Sequence, residues 1–272
     1  MSDNNQTAPF SLAELMIVAG AEVFRDSGEV LATGIGVLQR LAASLAMRTF
    51  NPDLMMTDSE AWLLSEPNPV SGRRPGDAQK QETWMGFSRV FDNVWSGRRH
   101  ALVGPSQIDR FGQTNISAMG GTYSQPKVQM LGVRGFPGNS ISHINSFMVP
   151  AHSTRAFVDG ECDTVCSIGY NPARLPRGYQ LSDIRLGWAI TNLCVIDWQG
   201  PEYSPRIRSL HPGVSVEEVQ QNTGFELYVG DAIPETVAPT AAQLAIIAEL
   251  DPANARARQL KDNPAGDRRH HG

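Results

Sequence analysis

Helical and apolar segments alternate along the first part of the chain, and this alternation restricts the fold more than any other feature of the sequence. Ser11 and Glu14 have the spacing of a helix capping box, and apolar residues follow them at helical intervals. An apolar strand at residues 30–32, a helix over residues 37–48 and a buried strand at residues 54–56 come next. Helices that alternate with apolar strands in this way indicate an α/β domain with a parallel sheet.

Further strands and helices are predicted along the rest of the chain. Ser215 and Thr240 each stand three residues before a glutamate or glutamine, which is a start signal of a helix. Apolar segments predict strands at residues 100–103, 127–131, 155–158, 188–197 and 206–210. Neither an internal repeat nor a clear linker divides the chain. We therefore predict one α/β domain with an open, mostly parallel sheet and flanking helices.

The two ends of the chain differ in composition from its middle. Residues 1–10 are polar and predict a flexible arm, and residues 11–252 hold the predicted domain. Residues 253–272 are polar and rich in arginine, which predicts a frayed tail. Residues 66–82 combine prolines, glycines and charges, and they predict a long loop.

Charge and cysteine content exclude several classes of protein. The 272 residues carry 23 basic and 28 acidic side chains, a net charge of −5, whereas proteins that hold a nucleic acid backbone usually show a basic excess. A run of about 18 apolar residues, the length of a transmembrane helix, is absent, and the polar N-terminus lacks the pattern of a secretory signal. The three cysteines are too few for a disulfide framework. We expect a cytoplasmic protein that binds neither nucleic acid nor membrane.

The glycine-rich segment at residues 132–139, GVRGFPGN, is one candidate binding site. It follows the predicted strand at residues 127–131, and ligands bind at the carboxyl ends of strands in open α/β sheets. Backbone N–H groups in such a loop, together with Arg134, suit a carboxylate, a thioester oxygen or a phosphate. An irregular connection without a ligand explains the same residues equally well.

Carboxylates follow another predicted strand. Asp58 and Glu60 stand just after residues 54–56. A carboxylate in this place acts as a nucleophile or as a general acid or base when burial tunes its pKa. A helix N-cap with solvated neighbours is the alternative.

Amides and a histidine complete the polar candidates. Gln107 and Asn115 follow the predicted strand at residues 100–103, where they either bind substrate or satisfy the backbone of a wide turn. His143 lies just beyond the glycine-rich segment, and a histidine packed in the core is the alternative there. The histidines and cysteines are too dispersed for a metal site, so we expect none.

Two ordered motifs resemble the β subunits of class I CoA-transferases. Residues 107–115, QIDRFGQTN, resemble their GAQ-V-D-x-x-G-N-x-N stretch. SLHPGVS at residues 209–215, followed by NTGF at residues 222–225, resembles their LHPGV…NTGF signature. With the N-terminal helix, the resemblance spans residues 11–230.

This resemblance implies a fold, a partner and a substrate class. The fold is the open α/β fold of the CoA-transferase and NagB-RpiA-like superfamily. The partner is a separate α subunit in an αβ or α2β2 complex, with the active site near the subunit interface. The substrate is an acyl-CoA thioester, so that coenzyme A belongs to the substrate and no other cofactor is expected.

Four shorter segments resemble a hydrolase branch of this family that serves bacterial steroid catabolism. They are TDSEA at residues 57–61, GRRH at residues 97–100, NISA at residues 115–118 and the glycine-rich segment. In that branch the enzyme opens the last steroid ring of a CoA-linked product by adding water across a carbon–carbon bond, with a glutamate of the α subunit as acid and base. On this interpretation Asp58 or Glu60 orients water, and the substrate-binding residues are Gly132, Arg134, Gly135, Gly138, Asn139, Gln107, Asn115 and His143.

The chain departs from the transferase pattern at one decisive place. Transferases of this class carry a nucleophilic glutamate after the strand, in the pattern E-N-G or E-S-G. Alignment by the end of the strand places Asp58 there, and alignment by letters places Glu60 there, followed by Ala61 in place of a small turn ending in glycine. A nucleophile displaced by about 1 Å loses on the order of 100-fold in rate. The resemblance therefore favours hydrolysis, with CoA transfer or a non-catalytic scaffolding role as alternatives.

Overall fold

The computed structural model describes residues 9–58, 61–72, 76, 78 and 80–270. Residues 1–8 of the predicted arm lie outside these ranges, and so do Ser59 and Glu60. Within the described ranges, no helix is both long enough and apolar enough to cross a membrane.

Helices and strands alternate in the order that the α/β prediction requires. The helices are α1 (Leu12–Ala21), α2 (Val37–Arg48), α3 (Gly86–Trp95), α4 (Phe136–Ser142), α5 (Val216–Gln221) and α6 (Ala241–Leu250). The strands of the central sheet are β1 (Leu31–Gly34), β4 (Arg99–Val103), β9 (Ile144–Val149), β10 (Leu186–Thr191), β11 (Cys194–Asp197) and β12 (Arg206–Leu210). The strands outside it are β2 (Trp62–Leu64), β3 (Gln81–Trp84), β5 (Gln107–Ile108), β6 (Thr114–Asn115), β7 (Ala118–Thr122) and β8 (Gln125–Gln129).

A six-stranded sheet with the strand order β1-β4-β9-β10-β11-β12 forms the centre of the fold. The first four strands in this order pair in parallel, and the last three pair antiparallel. Long connections precede β4, β9 and β10, because a parallel partner requires the chain to cross back over the sheet. The predicted open and mostly parallel sheet is confirmed.

Helices α1 and α2 cover one face of this sheet. As predicted, Ser11 caps α1: its Oγ accepts the N–H of Glu14 at 3.4 Å, and the Glu14 carboxylate accepts the N–H of Ser11 at 2.8 Å. Nine of the ten residues of α1 are buried, and they pack with α2 against Leu102 and Met148 of the sheet. Burial of each large apolar side chain contributes roughly 2 kcal/mol, so this layer is a major part of the core.

The opposite face is covered by α4 and by irregular segments. Phe136 of α4 belongs to a second apolar cluster with Phe147 and Val149 of β9. The predicted glycine-rich segment leads directly into α4. The glycine-rich segment therefore lies on this second face of the sheet.

Two predicted strands are wrong as elements of the central sheet. The segment at residues 127–131 overlaps β8, which pairs antiparallel with β7 in a largely exposed hairpin. Residues 155–158 form only one bridge, between Ile108 and Phe157. Phe157 is buried, and its ring stacks on that of His152 with the ring centroids 4.0 Å apart. The segment is apolar because it is buried in a turn, and this apolar pattern led to the prediction of a strand.

Two further predictions are corrected in detail. Residues 188–197 divide at residues 192–193 into β10 and β11, which pair antiparallel across a tight turn. Residues 54–56 form a single parallel bridge, between Leu31 and Met55, beside β1. The segment keeps the predicted direction and burial, but it is too short a ladder to count as a strand.

The C-terminal tail is not frayed in its described part. The N–H of Leu12 donates to the carbonyl of Pro264 at 2.8 Å, and the N–H of Gly266 donates to the carbonyl of Phe10 at 2.9 Å. Leu260 is buried in the core layer of α1 and α2. The prediction failed because composition alone does not show that a polar segment has partners elsewhere in the chain.

Arg256 makes the strongest of these tail contacts. Its guanidinium forms ion pairs with Glu14 at 3.0 Å and with Asp251 at 3.1 Å. Asp251 is buried and also accepts hydrogen bonds from Ser71 and from backbone N–H groups. Burial by itself favours a higher pKa for Asp251, but these hydrogen bonds hold the pKa below its ordinary value.

Replacing Arg256 by alanine is expected to lower the free energy of unfolding by about 3 kcal/mol at neutral pH, because it leaves the Asp251 carboxylate buried without its cation. A carboxyl group whose pKa is depressed in the folded state stabilises the fold above its unfolded pKa of about 4 and loses this contribution as the pH falls through the folded value. The difference between wild type and variant should therefore shrink below about pH 4. Urea unfolding at pH 7 and pH 3 measures it. Arg258→Ala removes an exposed arginine two residues away, and an equal loss in both variants would contradict the prediction.

Candidate active site

Asp58 lies at the carboxyl edge of the sheet. The parallel bridge between Leu31 and Met55 places the preceding segment beside β1. The N–H of Asp58 donates to the carbonyl of Trp62 at 3.1 Å, and its Oδ1 accepts the N–H of Trp62 at 3.3 Å. The half-buried Asp58 carboxylate thus closes a turn. Glu60, the other predicted catalytic carboxylate, lies outside the described residues.

The glycine-rich segment presents open backbone. Gly132 has φ of 85° and Arg134 has φ of 55°, a region that is rare for arginine. Within the described part of the chain, a Cβ added to Gly132 or Gly138 would meet no atom within 4 Å, and one added to Gly135 would meet only Oδ1 of Asn139 at 3.9 Å. Arg134 is exposed. Such a backbone leaves room for a ligand in van der Waals contact with the chain.

Helix α4 connects this segment to the start of β9. The helix ends at Ser142, and only His143 separates it from the first residue of β9. Because α4 ends where β9 starts and packs beside α3, we infer that its first residues lie toward the carboxyl ends of the parallel strands. The predicted location therefore arises from α4 and not from the strand that was expected at residues 127–131.

Gln107 and Asn115 form a buried amide pair. Nδ2 of Asn115 donates to Oε1 of Gln107 at 2.7 Å and to the carbonyl of Ala118 at 2.8 Å. The same Oε1 accepts the N–H of Asp163 at 3.1 Å, and Oδ1 of Asn115 accepts the N–H of Ser117 at 2.9 Å. These bonds anchor the β7–β8 hairpin. The structure favours the predicted alternative, in which the two amides satisfy the backbone of a turn.

His143 is buried at the other end of α4. Only 1% of the residue is exposed, and Nδ1 lies 2.9 Å from the carbonyl oxygen of Ile144. Burial lowers the pKa of His143 to about 4, although the hydrogen bond to Ile144 acts in the opposite direction. The ring is therefore neutral at pH 7, and we assign its proton to Nδ1. Nε2 has no hydrogen-bond partner among the described residues.

Four exposed aromatic side chains, none of them among the predicted site residues, form a surface. They are Trp84, Phe87, Phe91 and Trp95, with exposed fractions of 62%, 64%, 55% and 68%. We call this set the aromatic surface. The spacing of three to four residues places them on one side of α3 and of the strand end before it, and this spacing was the signal available in the sequence.

The aromatic surface lies between the two parts of the candidate site. At one end, the N–H of Met85 donates to the carbonyl of Ala61, next to the Asp58 turn, at 2.8 Å. Helix α3 also packs beside α4, which carries the glycine-rich segment. Exposed apolar patches formed by several large side chains mark interaction sites in soluble proteins.

Comparison with known proteins identifies the family. No protein-family model matches the chain. The chain is 41% identical over 250 residues to the cholesterol ring-cleaving hydrolase IpdB subunit of Mycobacterium tuberculosis, and the alignment covers 92% of this chain and 98% of that subunit. The chain belongs to the CoA-transferase family, as a subunit of the IpdB type. The resemblance that the motifs indicated is confirmed.

Two further relatives agree with this assignment. The crystal structure of Rhodococcus jostii IpdAB contains a chain with 39% identity and a TM-score of 0.82, with 93% of this chain and 99% of that chain covered. A 3-oxoadipate CoA-transferase subunit of Pseudomonas knackmussii is 30% identical over 91% of this chain and 96% of its own length. The fold class and the assignment to a multi-subunit enzyme are therefore confirmed, and the transferases are the more distant relatives.

Proposed function

We propose that this chain is the β subunit of a hydrolase that opens a carbon ring of a steroid-derived CoA thioester. The observation that carries the proposal is the 41% identity, over almost the whole chain, to a cholesterol ring-cleaving hydrolase subunit. Identity to the transferase subunit is 30% over a similar length.

The reaction consumes one water for each carbon–carbon bond that breaks. Hydroxide, formed when a base takes a proton from water, adds to a ring carbonyl that is β to a second carbonyl. The bond between the first carbonyl carbon and its neighbour then breaks, and its electron pair moves onto the second carbonyl as an enolate. Protonation of the enolate gives a ketone, and the attacked carbon becomes a carboxylate. Catalysis therefore needs a base for water and hydrogen-bond donors for the enolate oxygen.

In this reaction the chain contributes hydrogen-bond donors and part of the lining of the active site. The open backbone at Gly132, Gly135 and Gly138, with Arg134 beside it, suits a developing oxyanion. Asp58 lies at the same edge of the sheet and suits a water-orienting role. We assign the main acid and base to a glutamate of the α subunit. Coenzyme A enters as part of the substrate, and the chemistry requires no further cofactor.

We assign the α subunit to the aromatic surface. The IpdB-type relatives are subunits, and an active site shared between subunits requires the partner to reach both the Asp58 turn and the glycine-rich segment, which flank α3. Four half-exposed aromatic side chains offer on the order of 500 Å² of apolar area, a large part of the roughly 800 Å² that one partner buries in a standard interface. The three free cysteines, all buried, fit a reducing cytoplasm.

Hydrolysis and CoA transfer make different predictions for the αβ complex. In hydrolysis, oxygen from solvent enters the new carboxylate, and no covalent adduct forms on this chain. We expect one 18O atom per product molecule in H2 18O, and no adduct after treatment with borohydride or hydroxylamine. Mass spectrometry of product and protein measures both.

The transferase is the control for this experiment. A 3-oxoadipate CoA-transferase incubated with its own acyl-CoA should yield a trapped glutamyl adduct. An acyl or CoA adduct on Asp58 or Glu60 of this chain would refute the hydrolase proposal in favour of CoA transfer.

A further inference from the structure

Arg99, the first residue of β4, has no counter-charge among the described residues. Its Nε donates to Oγ1 of Thr33 at 2.9 Å, and its side chain is half-buried. Among the residues that the structure describes, no carboxylate forms an ion pair with it. Burial, with no described carboxylate to oppose it, lowers the pKa of Arg99. Partly buried arginines are normally paired with a carboxylate, so the lack of a charged partner among the described residues calls for an explanation.

Two unpartnered polar atoms lie beside this cation. His100 pairs with Ile144 and Ala101 pairs with Asn145 across β4 and β9. The same register, extended by one residue, puts His143 next to Arg99, and neighbouring strands are about 4.8 Å apart. Within the described ranges, Nε2 of His143 and Oδ1 of Asn145 are both buried without a hydrogen-bond partner. Asn145 itself is fully buried.

These side chains share one face of the sheet. Side chains alternate along a strand, so Arg99 and Ala101 point to the face opposite that of Leu102, which packs on α1 and α2. Asn145 lies on the same face as its partner Ala101. This is the face that α4 and the irregular segments cover, and it bears the candidate active site.

Arg99 lies between the two parts of that site. Thr33, its hydrogen-bond partner, is two residues after Leu31, which bridges to Met55, and Asp58 follows three residues later. His143 directly follows α4, which begins at the glycine-rich segment. Two positive charges act on His143, those of Arg99 and Arg185.

We propose that Arg99, backed by His143 and Asn145, binds a carboxylate that no described residue of this chain supplies. The planar guanidinium forms bidentate hydrogen bonds with a carboxylate. The unpartnered acceptors on His143 and Asn145 receive the two hydrogens of a water, and the oxygen of this water accepts an N–H of the Arg99 guanidinium and holds it in place for the carboxylate. The carboxylate comes either from the acyl-CoA ligand or from an acidic side chain of the α subunit. The first of these sources, the acyl-CoA ligand, rests on the proposed function, because ring opening converts a ring carbonyl into a carboxylate.

The test compares binding of two CoA thioesters by the αβ complex. Glutaryl-CoA carries a terminal carboxylate, and valeryl-CoA has the same number of acyl carbons without it. If the ligand supplies the carboxylate, wild type prefers glutaryl-CoA, and Arg99→Gln weakens glutaryl-CoA binding by roughly 10- to 100-fold with little effect on valeryl-CoA. Arg99→Lys should retain part of the preference. Arg98→Gln, which removes the adjacent exposed arginine, should behave as wild type.

The second arm measures assembly. If the α subunit supplies the carboxylate, Arg99→Gln raises the Kd of the two subunits by roughly 10-fold or more and reduces the salt dependence of that Kd. The proposal would be overturned if Arg99→Gln changed neither the preference for glutaryl-CoA over valeryl-CoA nor the Kd of the two subunits. A lowered melting temperature with both bindings unchanged would overturn it as well, because this result would indicate a purely structural arginine. Neither the thioester-binding experiment nor the assembly experiment requires steroid turnover. Both can therefore be interpreted even if the proposed hydrolysis is wrong.

Discussion

Replacing Phe91 by serine is expected to weaken association of this chain with its α subunit by roughly 100-fold, because a central aromatic anchor of an interface contributes about 2 to 4 kcal/mol. Phe91 lies in the middle of the aromatic surface and is 55% exposed. Its loss should therefore cost little in the stability of the isolated chain. Analytical ultracentrifugation or titration of the two subunits measures the Kd, and thermal unfolding measures the stability.

Arg89→Ala is the matched control for this substitution. Arg89 is exposed on the same helix, about half a turn away from Phe91. It should leave association unchanged. If Phe91→Ser leaves the Kd for the α subunit unchanged and instead abolishes self-association of the isolated chain, the aromatic surface contacts a second copy and our assignment is wrong.

Replacing Gly138 by leucine is expected to lower kcat/KM of the αβ complex by roughly 100-fold, because the new side chain displaces the reacting ring of the substrate from the open backbone by an ångström or more. A Cβ at this position meets no atom of the described residues within 4 Å. Gly138 lies within α4, where leucine is the better helix former. The substitution should therefore leave the melting temperature unchanged or raise it.

Gly230→Leu provides the control for added bulk. An added Cβ at Gly230 also has no described atom within 4 Å, and this glycine lies in a segment beside β12, away from α4. Steady-state kinetics should show wild-type turnover for this variant. Equal activity of both variants would place the acyl-CoA elsewhere and remove the glycine-rich segment from the site.

Only part of the candidate site was predictable from the sequence. Features that depend on neighbouring residues of the chain were predictable, whereas features that depend on contacts between distant residues were not. Asp58 and the glycine-rich segment were candidates because glycines and carboxylates after apolar segments are local signals. Gln107 and Asn115 were found as polar residues, but their pairing at 2.7 Å depends on a hairpin that returns the chain upon itself. Arg99 was part of a recognised motif, yet its lack of a counter-charge among the described residues is a property of its neighbours in space.

Local sequence determined the helix starts at Ser11, Ser215 and Thr240, the α/β alternation and the family motifs, because capping and periodicity involve residues within one or two turns of each other. Tertiary structure alone decided which apolar segments joined the central sheet, whether the basic tail packed, and where polar atoms were left without partners. Strand pairing, the Arg256 ion pairs and the burial of His143 join residues far apart in the chain. Their free energy depends on contacts that exist only once the whole chain has folded.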